Sequence, residues 1–367
     1  MAWARKLFST LFISLALFQS GTAGKNVPDS YIIKYSQTPI NDFSPNITVE
    51  DYYPHIDAYS IKADVNSLTS LLRNNNNNNI EYIEPNQIFS LTHETQQNVP
   101  SWGLSRISQE NLETQDYTYP TVAGIGQSVY VLDTGILETH PDFTSRAKQL
   151  YTAPGVGENI DCNGHGTHVA GTIGGELTGV AKQATILGVK VLSCNGSGTT
   201  ASVLNGMEYI LNQPGNTTKI INMSLGGGRS RTIDDLIANS PNALFIVAAG
   251  NSNTDACTGS PSGSPGALTV AGSDIRDQKA IFSSYGACVD IVAPGVNITA
   301  PYIPGGFRAL SGTSMASPHV AGIAAVLQSQ TPTQDAQTLK QNIISVALPG
   351  KLGGFDIITP NLLSHLP

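Results

Sequence analysis

Val129-Tyr-Val-Leu-Asp-Thr-Gly135 decides how the rest of the chain is read. Its first four residues are apolar without alternation. Such a strand has no face to turn to water, so it must be covered on both sides, as in a parallel sheet between helix layers. Asp133 closes the run and Thr134-Gly135 turns the chain away. In open sheets of this class, chemistry gathers at the carboxyl ends of strands. Taken alone, Asp133 reads more readily as a turn aspartate than as a functional group.

Similar apolar runs recur downstream at 186–192, 220–223, 244–248 and 268–271. Between them, Val203, Met207, Ile210 and Leu211 fall on one helical face, and Val320, Ile323, Ala324 and Leu327 on another. The alternation predicts an α/β fold, a mostly parallel central sheet with helices on both faces. Upstream lies a smaller unit. Residues 31–35 alternate like a strand, 58–63 read as a second and 80–84 as a third, ended by Pro85. Residues 65–72 have helical spacing through Leu68, Leu71 and Leu72. The unit reads as a small α+β domain, with the six asparagines at 74–79 as a solvated loop.

The first residues read as a signal peptide: Arg5 and Lys6, an apolar stretch at 7–18, then Gly21-Thr-Ala23. That apolar stretch is 12 residues long, where a membrane span needs roughly 20. The expected organisation is a signal peptide at 1–23, a pro-region at 24–93 and a main domain at 94–367, with processing near His93 and a cleaved linker at 92–100. The mature protein is expected to be secreted, with no membrane partner. A net charge of -8 leaves no basic surplus for nucleic acid or anionic lipid. Four cysteines, Cys162, Cys194, Cys257 and Cys288, suit disulfides in an oxidising compartment and allow three pairings. No C-x-x-C pair is present, so zinc-ribbon spacing is absent.

Three further stretches carry candidate chemistry. Gly164-His-Gly-Thr-His-Val-Ala-Gly-Thr172 puts His165 at a helix start, where a base can project into a cleft, and leaves His168 as a core residue. Ser311-Gly-Thr-Ser-Met-Ala-Ser-Pro-His-Val-Ala-Gly322 is a turn running into a helix. Ser314 at that start would have a free backbone N–H in a favourable dipole. Pro318 is expected in the first turn, where it is tolerated, and Ser311, Thr313 and Ser317 read as capping or turn hydroxyls. Ala248-Ala-Gly-Asn251 ends a strand with an amide that could donate to an oxyanion.

Together these stretches closely resemble the subtilisin superfamily of serine peptidases, and within it the proteinase K branch. The matching segments are Val131-Leu-Asp-Thr-Gly135, His165-Gly-Thr-His-Val-Ala-Gly171, Ala248-Ala-Gly-Asn251 and Gly312-Thr-Ser-Met-Ala-Ser-Pro-His319. The resemblance covers 102–367, and the pro-region, with Tyr82-Ile-Glu-Pro85, resembles the family's inhibitory propeptide. The resemblance implies a monomeric serine endopeptidase with Asp133, His165 and Ser314 as triad and Asn251 as oxyanion donor, needing no cofactor for catalysis. It implies protein and peptide substrates, and the chain's own propeptide as chaperone and inhibitor. It implies substrate edges at Gly196-Ser197-Gly198 and Ser224-Leu225-Gly226, and a first pocket lined by Ala248, Ala249 and Gly250, hence broad specificity with apolar or aromatic preference. It pairs Cys162 with Cys194 and Cys257 with Cys288. It also implies structural calcium on the Pro265 and Ala267 carbonyls and the Asp290 carboxylate, although Asp290 reads equally as a turn or ion-pair carboxylate. Sequons occur at Asn46, Asn195, Asn216, Asn222 and Asn297, with Asn216 and Asn297 the better candidates. Gly-x-Ser-x-Gly is absent, which sets aside the α/β-hydrolases. Two rival readings are a catalytically inactive secreted binding protein on the same fold and a metallohydrolase using His165, His168 and Asp133.

Overall fold

The structure is a computed structural model that describes residues 26–36, 45–74, 80–87, 93–215 and 217–367. The expected signal peptide, asparagines 75–79, the side chain of Leu72 and the sequon at Asn216 lie outside them. The chain divides into two compact units, with the break between Leu91 and Thr92.

The first unit contains β1 (Asn26–Tyr35), β2 (Thr48–Tyr53), β3 (Ala58–Lys62), α1 (Val65–Asn74) and β4 (Ile80–Gln87). Its strands form an antiparallel sheet in the order β2-β3-β1-β4. Ile33, Tyr35 and Ile61 from the sheet pack with Leu68 and Leu71 from α1 into a core of their own. The exposed strand β2 is absent from the sequence expectation, because its buried neighbours carry the periodic signal and its own residues face water.

The second unit opens with β5 (His93–Gln96), α2 (Trp102–Ile107), β6 (Tyr117–Pro120), β7 (Ser128–Asp133), β8 (Ala147–Thr152), α3 (His165–Gly174), β9 (Thr185–Lys190) and α4 (Thr200–Leu211). It continues through β10 (Lys219–Met223), β11 (Gly227–Gly228), α5 (Arg231–Ala238), β12 (Ala243–Ala248), β13 (Gly259–Ser260) and β14 (Leu268–Ser273). It closes with β15 (Ile291–Pro294), β16 (Ile298–Pro301), β17 (Phe307–Leu310), α6 (Thr313–Gln330), α7 (Ala336–Val346), β18 (Leu348–Pro349) and β19 (Leu362–Leu363). The main sheet has nine strands in the order β18-β19-β15-β14-β12-β10-β7-β9-β8. All neighbours in it are parallel except β18 and β19.

Side chains along each central strand divide between two cores. In β7, Val129 and Val131 join the core beneath α3, α6 and α7. Tyr130 and Leu132 join the opposite core, beneath α4 and α5. Strand β12 divides the same way, with Leu244 and Ile246 on one side and Phe245 and Val247 on the other. This is why the runs read as continuously apolar. Asp133 continues the odd-numbered set and therefore faces the layer that contains α3. Residues 93–96, expected as part of a linker, instead pair antiparallel with β6. That pairing is made by backbone groups and exposed polar side chains, so no hydrophobic pattern announces it. Among the described residues no helix is long and apolar enough to cross a membrane.

Candidate active site

Asp133 ends β7 with no exposed surface. Its Oδ1 accepts from its own neighbour, Thr134 N (2.7 Å), and bonds His165 Nδ1 at 2.7 Å. This close approach needs a glycine at 166, since a Cβ there would collide with the Gly135 carbonyl oxygen. Helix α3 therefore starts directly against the end of β7. The His165 side chain remains 28% exposed and lines a cleft of about 480 Å³. Burial opposes its charged form, but the Asp133 carboxylate prevails through charge and hydrogen bonding, and the imidazole pKa is raised above its ordinary 6.5.

A second buried carboxylate, Asp161, holds this arrangement from behind. Its Oδ1 accepts from Thr134 Oγ1 (2.9 Å), Asn163 N (3.0 Å) and Gly164 N (2.9 Å). Its Oδ2 accepts from Thr167 N (3.0 Å) and the Thr167 hydroxyl. A carboxylate bonded to the free N–H groups at a helix start is favoured by the helix dipole. Lys190, the register partner of Asp133 in β9, is fully buried. Its Nζ donates to the Thr134 and Leu192 carbonyls at 2.6 and 2.8 Å. Burial lowers the Lys190 pKa, opposed by Asp161 and Asp133. Neither Asp161 nor Lys190 is picked out by the sequence reading. The only signal in the sequence is an acid four residues ahead of His165, three residues before the Gly164 cap of α3.

Ser314 is the second residue of α6. Its Oγ donates to the Ser224 carbonyl at 3.1 Å rather than to His165. Unliganded sites commonly hold such looser geometry. Asn251 Oδ1 accepts from Thr313 N (2.8 Å) and Thr313 Oγ1 (2.9 Å), which fixes the amide so that Nδ2 is the free end. A Cβ built on Gly312 would be 3.5 Å from that Nδ2 and 3.6 Å from Ser314 N. The two donors thus border one spot beside the nucleophile candidate.

Pro318 is the sixth residue of α6, not in its first turn as expected. The bond it cannot make, to the Ser314 carbonyl four residues earlier, is supplied from outside the helix. Ser224 Oγ donates to Ser314 O at 3.0 Å. With its one proton so used, Ser224 Oγ accepts from Asn222 Nδ2 (2.9 Å) and from Ser317 Oγ (2.8 Å). Ser317, expected as a capping or turn hydroxyl, lies inside α6 and bonds the neighbouring loop instead, and the Asn222 sequon is buried. The sequon at Asn297 is exposed.

Residues 224–226 lie in no strand. They form a wall shared by the His165 cleft and a second cavity of about 520 Å³ that also borders Ala248, Ala249, Gly250, Asn251 and Ser314. Across the first cleft stand Gly196, Ser197 and Gly198. Ser197 N bonds Asn195 Oδ1 and Ser197 O accepts from Ser193 N, which shapes the loop. At Gly198 a Cβ would strike the Val191 carbonyl. The charged residue on the second cavity's wall, Asp255, caps a short turn by accepting from Cys257 N at 2.9 Å. Both disulfides, Cys162–Cys194 and Cys257–Cys288, are formed.

His168 is buried, with Nε2 donating to the Ile298 and Arg308 carbonyls at 3.0 Å each. It is a core residue, its pKa pushed down to about 4 chiefly by burial. Among the described residues no group of three His, Cys, Asp or Glu side chains could hold a metal ion. Two of the three expected calcium ligands contact a lysine: Asp290 Oδ1 pairs with Lys340 Nζ at 2.8 Å, and the same Nζ donates to the Ala267 carbonyl at 2.6 Å.

The Subtilase family matches residues 124–359 of the chain. The "Subtilisin-like serine protease AsES" of Sarocladium strictum is 40% identical over 353 residues, covering 92% of this chain and 89% of its own length. The "Extracellular serine proteinase" of a Thermus species is 44% identical over 278 residues, 74% of this chain and 67% of that protein. The crystal structure of a cold-adapted subtilisin-like serine proteinase superposes with a TM-score of 0.68 at 39% identity, covering 74% of this chain and 99% of that one.

Proposed function

The chain belongs to the subtilase family of serine proteases, and on that premise we propose that it is a secreted endopeptidase, made as a self-processing zymogen, acting through an acyl-enzyme on Ser314. The observation that carries this reading is the 2.7 Å bond from a fully buried Asp133 to an imidazole that faces a cleft.

In the proposed mechanism Ser314 Oγ rotates from the Ser224 carbonyl to His165 Nε2 and attacks the scissile carbonyl carbon. His165 takes the hydroxyl proton and later delivers it to the leaving amine. Asp133 keeps the proton on Nδ1 and steadies the imidazolium. The negative oxygen of the tetrahedral intermediate lies between Asn251 Nδ2 and Ser314 N, donors that need no reorganisation as the charge develops. Substrate backbone pairs with the unladdered edges at 196–198 and 224–226. The small residues Ala248, Ala249 and Gly250 leave room for a large apolar or aromatic side chain in the first pocket.

The leader at 1–23, with its apolar stretch at 7–18, supports secretion, and a separate folded unit with its own core supports a propeptide removed near His93.

The test is intact-mass spectrometry of the secreted protein before and after treatment with a serine-directed phosphonate, with peptide hydrolysis assayed in parallel. A single adduct on Ser314 with loss of hydrolysis is expected. The Ser314→Ala chain should retain the whole pro-region. A folded, processed chain that neither hydrolyses peptides nor takes the label would be an inactive binding protein on this fold.

A further inference from the structure

The resemblance implies calcium at Pro265, Ala267 and Asp290, yet this chain brings a cation of its own to the place. Lys340 projects from α7, and its ammonium is within hydrogen-bonding distance of the Ala267 carbonyl (2.6 Å) and the Asp290 carboxylate (2.8 Å). Those are two of the three oxygen ligands expected for the ion. The pair is well shielded, with the Lys340 side chain 16% exposed and that of Asp290 26%. The other carboxylate oxygen is also engaged, accepting from Thr269 N at 2.8 Å.

A calcium ion needs six to eight oxygen ligands at about 2.3–2.6 Å. Here one oxygen of the expected carboxylate ligand is already bonded to the Thr269 amide, and a lysine ammonium holds its other oxygen and the Ala267 carbonyl. The single positive charge balances the single negative one. A doubly charged ion on the same oxygens would be forced against the ammonium, and the acids that line the cavity beside Pro265, Asp234 and Asp235, are already paired with Arg229 and Arg231. Among the described residues no cluster of three ligating side chains includes Asp290. The residues present therefore do not fit the ion.

We propose that Lys340 is a tethered replacement for calcium, tying α7 to the 265–267 turn and to the start of β15, and that it excludes the ion from this place. An ion must be captured from solution, whereas the lysine is delivered by the fold. This junction is then insensitive to chelators.

The experiment measures the calcium increment in Tm, the difference between excess calcium chloride and EGTA, in four full-length chains. All carry Ser314→Ala to prevent self-digestion: one without further change, one with Asp290→Asn, one with Lys340→Met and one with both. In the chains retaining Lys340, Asp290→Asn should leave the increment unchanged. Lys340→Met should open an increment on the order of 5 °C, abolished by adding Asp290→Asn. If Asp290→Asn alone removes an increment, calcium binds alongside the lysine and the proposal fails. It fails equally if Lys340→Met gains none. Should Lys340→Met not fold, radioactive calcium stoichiometry in the chains with and without Asp290→Asn decides the matter: equal stoichiometry supports the proposal, and the loss of one ion overturns it.

Discussion

Asn251 has its amide orientation imposed by Thr313, which donates twice to Oδ1 and leaves Nδ2 toward the spot beside Ser314. Removing one preorganised oxyanion donor typically lowers kcat by about 10²–10³. Asn251→Ala should therefore lower kcat by about that factor with KM little changed; a rise in KM at constant kcat would make the residue a binding group instead. His165 yields a pH prediction. Its raised pKa derives from Asp133 and is opposed by burial. The base must be neutral, so kcat/KM should climb through a pKa above 6.5 and stay high into the alkaline range. Asp133→Asn removes what raises that pKa and leaves the burial that lowers it. Activity should fall about 10⁴-fold, and the acid limb of the residual profile should move to lower pH. An unmoved limb would mean that the rise reports some other group.

At the scale of elements, α6 carries a proline in its second turn because a neighbouring loop mends the missing bond. Ser224 Oγ fills the place of the absent Pro318 N–H, and Ser224 belongs to the wall shared by both cavities. Ser224→Ala leaves the Ser314 carbonyl, the Asn222 amide and the Ser317 hydroxyl short of partners. In the Ser314→Ala background it should cost about 1–3 kcal/mol, read as a shift in the denaturation midpoint; no shift would mean that water replaces the hydroxyl. The Cys162–Cys194 disulfide closes a separation of 32 residues, worth about 3–4 kcal/mol by chain entropy. It joins the loop preceding His165 to the loop bearing Gly196–Gly198. Replacing both cysteines by serine should raise KM as well as lower stability; stability loss with unchanged KM in the surviving native fraction would confine the bridge to the fold.

Across the whole molecule, acid should unfold the protein for a reason set in its core. His168 and His319 are buried and held neutral, each with a pKa pushed down to about 4 chiefly by burial. In the unfolded chain both return to about 6.5. Below 6.5 the unfolded state therefore takes up protons that the native state refuses. Stability is fully present above that pH and is lost as it falls toward 4, by about 3 kcal/mol per histidine. The raised pKa of His165 acts oppositely, with its contribution present below 6.5 and lost as pH rises through the folded value. Urea midpoints of the Ser314→Ala chain between pH 7 and 4 should show the fall, and a flat midpoint across that window would refute it.

Much of this molecule is legible from pattern alone. Unbroken apolar runs mean strands buried on both faces, and Val129 to Leu132 divide their side chains between two cores accordingly. Strand ends and helix starts made Asp133, His165, Asn251 and Ser314 candidates, because such positions share one edge of a parallel sheet, and the family resemblance is what joined them into one set of roles. The rest depends on contacts between segments far apart in the chain, to which local periodicity is blind. Lys190 beside Asp133, Ser224 standing in for an amide of α6 and the polar ladder of β5 with β6 are of that kind. Lys340 is the clearest instance. Asp290 by itself read equally as an ion-pair carboxylate or, through the family resemblance, as a calcium ligand; only the packing of α7, 50 residues further on from Asp290, brought Lys340 to it.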